Sequence, residues 1–425
     1  TRSSIKSVPN KPFIYRQTVF SEIINSSWNK ATLPTQWKNS YVKPILKHKR
    51  NKNEIDSYRP ISLISNMSKI MEKMINYRLI WFLEKNHLLN KYQFGFRKLY
   101  STTDHLLRLK EESKLSIDNG NQTLVITLDY TRAFDLVWKD GLLIKMMSLN
   151  ISGNILQWTR SFLTDRGNII SINNTHSHSY TLENGIPQGS CLSPTLFLIM
   201  MNDFPELSKF TSQALFADDG NIWRSGTNLK QITHHMQQDL HTIENWSTKW
   251  GFILNPGKTT GILFSRQHSQ EPIHLSIKNK TINIESKFKF LGVTFDTKLT
   301  WKTHVEDLVK KTQQTLNLMR CFQGVHWGAS NNTLLTLYKA LIRSKLDYGS
   351  TLYMDACKTT LKRLDSLQYK ALCIVLGAAK GTSLAALLAE VGETSLNIRR
   401  QALYTKYLLK IKSNPHNITN SIFEN

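Results

Sequence analysis

Three aspartates are the residues whose types and spacing best suit catalysis in this chain of 425 residues. Asp218 and Asp219 are adjacent between two short apolar segments, and Asp129 follows the apolar run 124–128, which predicts a buried strand. The Asp219-Gly220 step predicts a tight hairpin, because glycine adopts the positive φ of such turns without strain. Neighbouring carboxylates repel one another unless a cation neutralises them, and three of them on neighbouring strand ends suit two Mg²⁺ ions at a phosphoryl-transfer centre. The alternative is a solvated turn, since an Asp pair is common by chance.

Further short motifs accompany the aspartates in a fixed order along the chain. They occupy residues 44–47, 58–62, 93–97, 185–190, 251–259 and 290–293. In this order and at these spacings the set resembles the reverse transcriptase domain of non-LTR (LINE-type) retrotransposons, and most closely the jockey-related elements of animals. The resemblance runs from about residue 33 to about residue 378.

The resemblance implies an α+β fold of the right-hand polymerase type, with fingers, a palm built on an antiparallel sheet, and a helical thumb. We expect an N-terminal extension at 1–32, fingers at 33–120, the palm with the catalytic core at 121–295, and the thumb with a C-terminal tail at 296–425. The implied activity is RNA-directed DNA polymerisation, in which a primer 3′-hydroxyl is extended by two-metal nucleotidyl transfer. The implied cofactor is a pair of Mg²⁺ ions, for which Mn²⁺ can substitute.

The resemblance also assigns roles at the reaction centre. Asp129 and Asp218 are expected to bridge both metal ions, and Asp219 is expected to be a third, less direct carboxylate. Lys258 matches a lysine that protonates the leaving pyrophosphate, so we treat it as a catalytic residue. Its alternative reading is an ordinary surface lysine.

A second group of residues is expected on the nucleotide and primer side. By resemblance, Lys47 and Arg59 contact the phosphates, the backbone carbonyl of Tyr130 is an additional metal ligand, Phe134 excludes the ribose 2′-hydroxyl, and Gln188 lies near the sugar and the templating base. The same resemblance assigns the grip on the primer end to a hairpin of three residues: Phe290, Leu291 and Gly292. Asp135 is expected at a helix N-terminus rather than on a metal.

Helical periodicity predicts the supporting elements. A helix over residues 65–85 has an apolar stripe that we expect in the core, formed by Met67, Ile70, Met71, Met74, Ile75 and Leu79. A second helix has a longer stripe, formed by Leu229, Ile232, Met236, Leu240, Ile243, Trp246 and Trp250. After residue 300 the pattern is wholly helical, with predicted helices at 305–320, 333–346 and 359–376.

The charge balance predicts a nucleic-acid partner. Lys and Arg number 55 against 31 Asp and Glu, a net charge of +24, which suits a polyanion but does not identify an activity. The resemblance implies that the partners are an RNA template, a DNA primer and dNTPs. A basic thumb face that holds duplex phosphates, or else an ordinary solvated surface, is predicted by the recurrence of Lys310, Lys311, Arg320, Lys339, Arg343, Lys345, Lys362, Arg363 and Lys370.

Several classes of protein are disfavoured by composition. The four cysteines are scattered without a CxxC pair, which argues against a structural zinc site and predicts a reducing compartment. No apolar run approaches the length of a membrane span, so no membrane partner is expected. We expect an intracellular protein, in a nuclear and cytoplasmic ribonucleoprotein. The first residue is Thr1 rather than Met, which predicts a fragment of a longer polyprotein.

Two alternatives to an active retrotransposon enzyme stay open. One is a catalytically inactive retroelement remnant that only binds nucleic acid; the intact aspartates, Gln188 and Lys258 count against it. The other is a telomerase-like or group II intron-type polymerase, against which residues 288–293 and 346–349 favour the LINE resemblance. The chain departs from the family pattern at Phe216, where a tyrosine is usual, and in residues 1–32, which lack the usual upstream segment.

Overall fold

A computed structural model describes residues 11–47, 50–173, 175–266, 272–324 and 327–423 of the chain. Its helices, in chain order, are α1 (Lys11–Asn29), α2 (Thr35–Lys38), α3 (Asn66–Lys85), α4 (Thr102–Asp118), α5 (Lys139–Ser148), α6 (Asn154–Leu163), α7 (Ser193–Met200), α8 (Leu229–Lys249), α9 (Lys302–Arg320), α10 (Asn331–Leu337), α11 (Ser344–Asp347), α12 (Ser350–Tyr353), α13 (Lys358–Leu376), α14 (Leu384–Val391) and α15 (Leu396–Lys412). A π-helical turn, Tyr338–Arg343, joins α10 to α11.

Short strands alternate with these helices. They are β1 (Ser40–Leu46), β2 (Tyr58–Ile64), β3 (Gln122–Leu128), β4 (Asn168–Ile172), β5 (Thr175–His176), β6 (Thr211–Phe216), β7 (Asp219–Gly226), β8 (Thr260–Phe264), β9 (Ser276–Ile277), β10 (Lys280–Thr281), β11 (Asn283–Ile284), β12 (Lys287–Phe290) and β13 (Val293–Asp296). None of the helices in the described part of the chain combines the length and the apolar character needed to cross a bilayer.

The chain forms two compact units, each built from separated segments. The first contains residues 1–90, 130–204 and 245–253, and the second contains residues 91–129, 205–244 and 254–425. The predicted palm range 121–295 therefore contributes to both units. The division into fingers, palm and thumb stays a prediction.

In the first unit, a four-stranded sheet has the order β2-β1-β4-β5. β1 pairs antiparallel with β2 along its whole length and parallel with β4. Arg59 lies in β2 opposite Ile45, and Lys47 directly follows the end of β1. One sheet of the first unit thus carries both of the predicted phosphate-binding residues.

The apolar stripe of α3 is only half buried, so the core prediction for this helix was partly wrong. Met71, Ile75 and Leu79 are at most 2% exposed, whereas Met67, Ile70 and Met74 are 39–44% exposed. At 3.6 residues per turn, the six positions cover about half of the helix circumference, and the neighbouring elements of a globular protein cover a narrower face.

The second unit is built on a five-stranded sheet with the order β11-β8-β3-β7-β6. β3 lies at its centre and pairs antiparallel with both β7 and β8, and only the short edge pair β11–β8 is parallel. Leu124, Val125 and Ile126 of β3 have no exposed surface, which confirms the predicted buried strand. An antiparallel sheet together with many helices confirms the α+β class.

The predicted apolar face of α8 is buried along its length, as expected. Its members are between 0 and 8% exposed, from Leu229 to Trp246, and Trp250 just beyond the helix is 8% exposed. The chain passes from the second unit to the first within this helix.

The C-terminal part of the second unit is helical, as predicted, and α9, α10 with α11, and α13 match the three expected helices within a few residues. Leu316, Tyr338 and Leu364 are fully buried among them. Several of the predicted basic-face residues are engaged within the unit. Lys339 Nζ and Arg343 Nη1, for example, lie 3.0 and 2.7 Å from the same oxygen of Glu393, whose side chain is 6% exposed.

Candidate active site

The three aspartates lie at the matching ends of adjacent strands in the second unit. Leu128, the last residue of β3, pairs with Gly220 of β7. One more residue of the same register sets Asp129 opposite Asp219, and Asp218 precedes Asp219 in the turn between β6 and β7. Opposed residues of an antiparallel pair have Cα atoms about 4.5–5.5 Å apart, so Asp129, Asp219 and the adjacent Asp218 lie at one edge of the sheet.

The turn that carries Asp218 has a different construction from the predicted one. Phe216 pairs with Asp219, which leaves a two-residue loop, and the positive φ is +57° at Ala217 rather than at Gly220. Gly220 belongs to β7, where an added Cβ would lie 3.0 Å from a Leu215 methyl group and 3.4 Å from one of Leu128. The glycine therefore permits close packing, and the expectation that it relieves turn strain was wrong.

Gln93 holds the strained residue of this turn. Its side-chain Oε1 accepts hydrogen bonds from the backbone N–H groups of Ala217 and Gly95, both at 2.9 Å, and its Nε2 donates to the Ala217 carbonyl at 3.2 Å. Gln93 is 2% exposed and Ala217 is 5% exposed. Sequence reasoning identified 93–97 only as a motif, because nothing in its residues indicates a partner more than 120 residues away.

The loop that carries Lys258 is anchored on the backbone of Asp129. Asn255 N donates to the Asp129 carbonyl at 2.9 Å, and Asp129 N donates to Thr259 Oγ1 at 3.4 Å. These bonds bring Lys258 Nζ within 3.7 Å of Asp129 Oδ1, with the lysine side chain 51% exposed. Lys258 thus lies beside Asp129, and its catalytic role stays a prediction.

The carboxylates have the right chemistry for Mg²⁺, although they do not form a complete cage. Within the described ranges, no three His, Cys, Asp or Glu side chains are grouped so that they could hold a metal ion. Mg²⁺ is usually bound through one or two carboxylates together with substrate phosphates and water, and hard oxygen ligands suit both Mg²⁺ and Mn²⁺. The residues therefore fit an ion that is completed by a bound nucleotide.

The predicted nucleotide-side residues Phe134 and Gln188 belong to the first unit, where both are held in place. The Phe134 ring stacks on Phe197, with centroids 4.4 Å apart and planes 7° from parallel. Gln188 Nε2 donates to Asp135 Oδ1 at 2.9 Å, and burial raises the pKa of Asp135 while that hydrogen bond opposes the rise. Asp135 is not at a helix N-terminus, because the next helix begins only at Lys139.

The Gln188 loop rests on a buried carboxylate that sequence reasoning missed. Glu72 of α3 is fully buried and accepts hydrogen bonds from Ser190 Oγ at 2.6 Å, Cys191 N at 2.9 Å and Ser68 Oγ at 2.7 Å. A glutamate inside an apolar helical stripe was the available signal, since a buried charge needs hydrogen-bond partners.

The other predicted nucleotide-side residues of the first unit differ in how far they are buried. Arg59 is exposed, and Lys47 is half-buried, with its Nζ donating to the Asp56 carbonyl at 2.8 Å. The Tyr130 side chain is buried, and its hydroxyl lies 3.3 Å from Ser247 Oγ. Burial raises the pKa of Tyr130, so its phenol stays neutral.

The predicted primer-grip residues form the hairpin between β12 and β13 in the second unit. Phe290 is 6% exposed and belongs to the core, whereas Leu291 and Gly292 form the turn, with φ of +42° and +83°. Tyr348 supports this turn, because its hydroxyl donates to the Leu291 carbonyl at 2.5 Å.

A buried histidine of α4 contacts the β6–β7 and β12–β13 hairpins of the second unit. His105 Nε2 lies 2.8 Å from Asn221 Oδ1 in β7, and its ring centroid lies 4.9 Å from that of Phe290 in β12. Burial lowers the pKa of His105 to about 3, so the ring is neutral at physiological pH.

The chain matches the family model described as reverse transcriptase (RNA-dependent DNA polymerase) over residues 45–295. It is 25% identical over 426 residues to the RNA-directed DNA polymerase from mobile element jockey of Drosophila melanogaster, covering 99% of this chain and 46% of that protein. The corresponding jockey protein of Drosophila funebris is 28% identical and is matched over 88% of this chain and 41% of its own length. The chain thus spans less than half the length of these curated relatives.

A transposon protein and a solved structure are also similar to the chain. The probable RNA-directed DNA polymerase from transposon X-element of Drosophila melanogaster is 26% identical, over 88% of this chain and 41% of that protein. The structure of apo telomerase from Candida Tropicalis covers 96% of this chain and 68% of its own chain, with a TM-score of 0.47 and 12% identity.

Proposed function

The chain belongs to the reverse transcriptase family, and on that premise we propose that it is an RNA-directed DNA polymerase of a non-LTR retrotransposon. It extends the 3′-hydroxyl of a primer along an RNA template, with dNTPs as substrates. The observation that carries the proposal is the register of β3 and β7, which gathers Asp129, Asp218 and Asp219 at one edge of the sheet. That edge lies inside the segment matched by the family.

Asp129 and Asp218 are proposed to be the residues that would hold two Mg²⁺ ions, with Asp219 less directly involved. When bound, the ions would activate the primer hydroxyl and neutralise the triphosphate and the leaving pyrophosphate. Lys258 is proposed to protonate the pyrophosphate, and its position 3.7 Å from Asp129 supports this role. Mn²⁺ can replace Mg²⁺, because both prefer oxygen ligands.

The residues of the first unit are proposed to bind the incoming nucleotide. Phe134 excludes a 2′-hydroxyl. Its stacking on Phe197 supports this role, because steric exclusion requires a ring with a fixed orientation. Gln188, fixed by Asp135, faces the sugar and the templating base, and Lys47 and Arg59 contact the phosphates. The Tyr130 carbonyl is proposed as a further metal ligand. In the second unit, Leu291 and Gly292, together with Phe290, are proposed to grip the primer.

The template–primer is proposed to bind mainly through its phosphates, because the net charge is +24. Its affinity should then fall by roughly 10³-fold between 50 and 200 mM salt if about six phosphates are contacted, with little dependence on sequence. Replacing the exposed Lys310 and Lys311 by Gln should weaken binding and shorten the products without changing single-nucleotide chemistry. Lys280→Gln, at an exposed lysine of β10, is the matched control.

The proposal is tested by primer extension on a defined RNA template with the purified chain, with Mg²⁺ and with Mn²⁺. We expect templated DNA products with at least one of the two ions. Binding of template–primer without extension by either ion would instead identify an inactive remnant that only binds nucleic acid.

A further inference from the structure

We propose that Gln93 is a positioning residue for the metal-binding carboxylates, and that it acts by fixing the peptide between Ala217 and Asp218. The inference rests on the proposed function, in which the Asp218 carboxylate binds metal ions. It starts from one side chain that satisfies both backbone polar groups of the strained turn residue, at 2.9 and 3.2 Å.

The turn needs such support because its conformation is unfavourable without it. A left-handed φ is unfavourable for a residue with a Cβ, and Ala217 adopts φ of +57°. Ala217 is also buried, so its N–H and C=O would lack partners if Gln93 were removed, and buried polar groups without partners are destabilising. The removal of Gln93 would therefore favour rotation of this peptide toward solvent.

Rotation of that peptide would move the carboxylate. The Ala217 carbonyl lies in the same rigid plane as the Asp218 nitrogen, so the bond from Gln93 Nε2 to this carbonyl sets the direction in which Asp218 leaves the turn. Residues that orient metal ligands in this way are typically worth about 10- to 100-fold in metal affinity or activity.

The backbone around Gln93 is fixed independently of its side chain. Phe94 N donates to the Leu215 carbonyl and Leu215 N donates to the Tyr92 carbonyl, both at 2.8 Å, so this segment runs alongside β6. At Gly95, an added Cβ would lie 2.4 Å from Ala217 N, which leaves no room for a side chain. Gln93 is thus presented to the turn from a rigid support.

The first test replaces Gln93 by Met, which keeps the length of the side chain and removes its hydrogen bonds. The control is Gln213→Met, because Gln213 is an equally buried glutamine of β6 that lies before the turn. We expect Gln93→Met to weaken Mn²⁺ binding, measured by electron paramagnetic resonance, and to lower kcat, each about 10- to 100-fold. For Gln93→Met, KM for the dNTP should stay within about twofold of that of the unsubstituted chain. For Gln213→Met, the Mn²⁺ affinity and kcat should both stay within about twofold. Unchanged Mn²⁺ affinity in folded Gln93→Met would overturn the proposal.

The second test uses Gln93→Glu, which does not depend on the folding of the Met variant. An ionised carboxyl can accept from Ala217 N–H but cannot donate to the Ala217 carbonyl, and it adds a charge beside Asp218 and Asp219. A protonated carboxyl can make all of the bonds of the amide. The charged groups around position 93 include those two aspartates, Lys91 two residues before it, and Arg97, whose Nη1 donates to the Gln93 carbonyl at 3.2 Å. Arg108 also lies close by, over the ring of Tyr92.

The activity of Gln93→Glu relative to the unsubstituted chain should therefore rise as the pH falls from 8.5 to 6, in a way that Gln93→Met does not. A pH-independent ratio near one would overturn the proposal. Mn²⁺ binding separates this inference from the proposed function: a chain that binds Mn²⁺ through the carboxylates but extends no primer would refute the polymerase and still test Gln93.

Discussion

The β6–β7 and β12–β13 hairpins of the second unit use different solutions to the same backbone problem. In each hairpin, the last residue of the first strand pairs with the first residue of the second strand, which leaves a loop of two residues. Each loop contains a residue with positive φ. The β12–β13 loop places Gly292 at φ of +83° and receives one hydrogen bond from Tyr348. The β6–β7 loop places Ala217 at +57° and is held through two backbone groups by Gln93.

The difference follows from what each loop carries. The β12–β13 turn combines Leu291, at φ of +42°, with a glycine, for which a left-handed φ carries no strain. In the β6–β7 turn the left-handed residue is Ala217, which has a Cβ, and unfavourable backbone conformations persist only where the surroundings enforce them. The buried Gln93 amide is therefore the feature that distinguishes the hairpin carrying Asp218.

The largest expected effect separates two aspartates that lie at the ends of strands. Asp129→Asn should lower nucleotide incorporation by about 10³-fold or more with little change in stability, because it removes charge from the proposed metal site. Asp296→Asn should do the reverse, since Asp296 accepts hydrogen bonds from the backbone N–H groups of Lys298, Thr300 and Trp301 at 2.9–3.2 Å. Incorporation assays and urea unfolding of both variants measure this contrast, and equal activity losses would contradict it.

The second prediction concerns His105, which contacts both hairpins. Its folded-state pKa of about 3 lies below the value of about 6.5 in an unfolded chain, so the unfolded state binds the proton more readily. Its contribution to stability is present above pH 6.5 and is lost as the pH falls toward 3. From pH 7 to pH 5, His105 alone should lower the free energy of unfolding, measured with urea, by about 2 kcal/mol.

A matched variant isolates the contribution of His105. Burial also lowers the pKa of His304, to about 4, so the chain with His105→Gln should keep a similar loss from His304 alone. An identical pH dependence with and without His105 would show that this ring is not neutral in the folded state.

The third prediction exchanges the turn residues. Gly292→Ala should destabilise the chain by about 1–2 kcal/mol, because it forces a Cβ into left-handed φ and to 3.1 Å from the Tyr348 ring. Ala217→Gly should instead stabilise the chain by about 0.5 kcal/mol, since relief of strain exceeds the added entropy of the unfolded chain. Chemical unfolding of the pair is the measurement, and effects of the same sign would refute the difference between the hairpins.

A smaller loss than that of the metal-site variants is expected for Tyr348→Phe, which removes only the hydroxyl bonded to Leu291. Stability should fall by about 1 kcal/mol and Mn²⁺ affinity should not change. A Mn²⁺ affinity lowered as far as in Gln93→Met would mean that the two supports are equivalent.

Sequence patterns predicted the elements better than the contacts between them. An apolar run identified β3, and periodicity identified the buried face of α8 and the C-terminal helices, because a helix leaves a period of 3.6 in the positions of its apolar residues. For α3 the same rule predicted too wide a core, since periodicity reports which residues are apolar and not how much of the helix is covered. Gly220 was misinterpreted because glycine is needed both for positive φ and for close packing, and the sequence does not separate these two reasons.

The supports of the candidate site could not be predicted, because they join residues that are distant in sequence. Gln93 and Ala217 are separated by 124 positions, and Glu72 and Ser190 by 118. A hydrogen bond of this kind depends on the tertiary placement of two segments and leaves no local periodicity. Asp218 and Asp219 were predictable because they are adjacent, and Asp129, far from them in sequence, because it follows an apolar run that predicts a strand.

The central claim is that the carboxylates at the end of β3 and β7 drive RNA-templated nucleotide transfer. The most direct measurement is single-nucleotide incorporation on an RNA template–DNA primer in Mg²⁺, with the unsubstituted chain and Asp218→Asn in parallel. We expect the unsubstituted chain to incorporate the complementary dNTP. Asp218→Asn should do so at a rate lower by about 10³-fold or more, with unchanged affinity for the template–primer. Incorporation by Asp218→Asn at the rate of the unsubstituted chain would contradict the central claim.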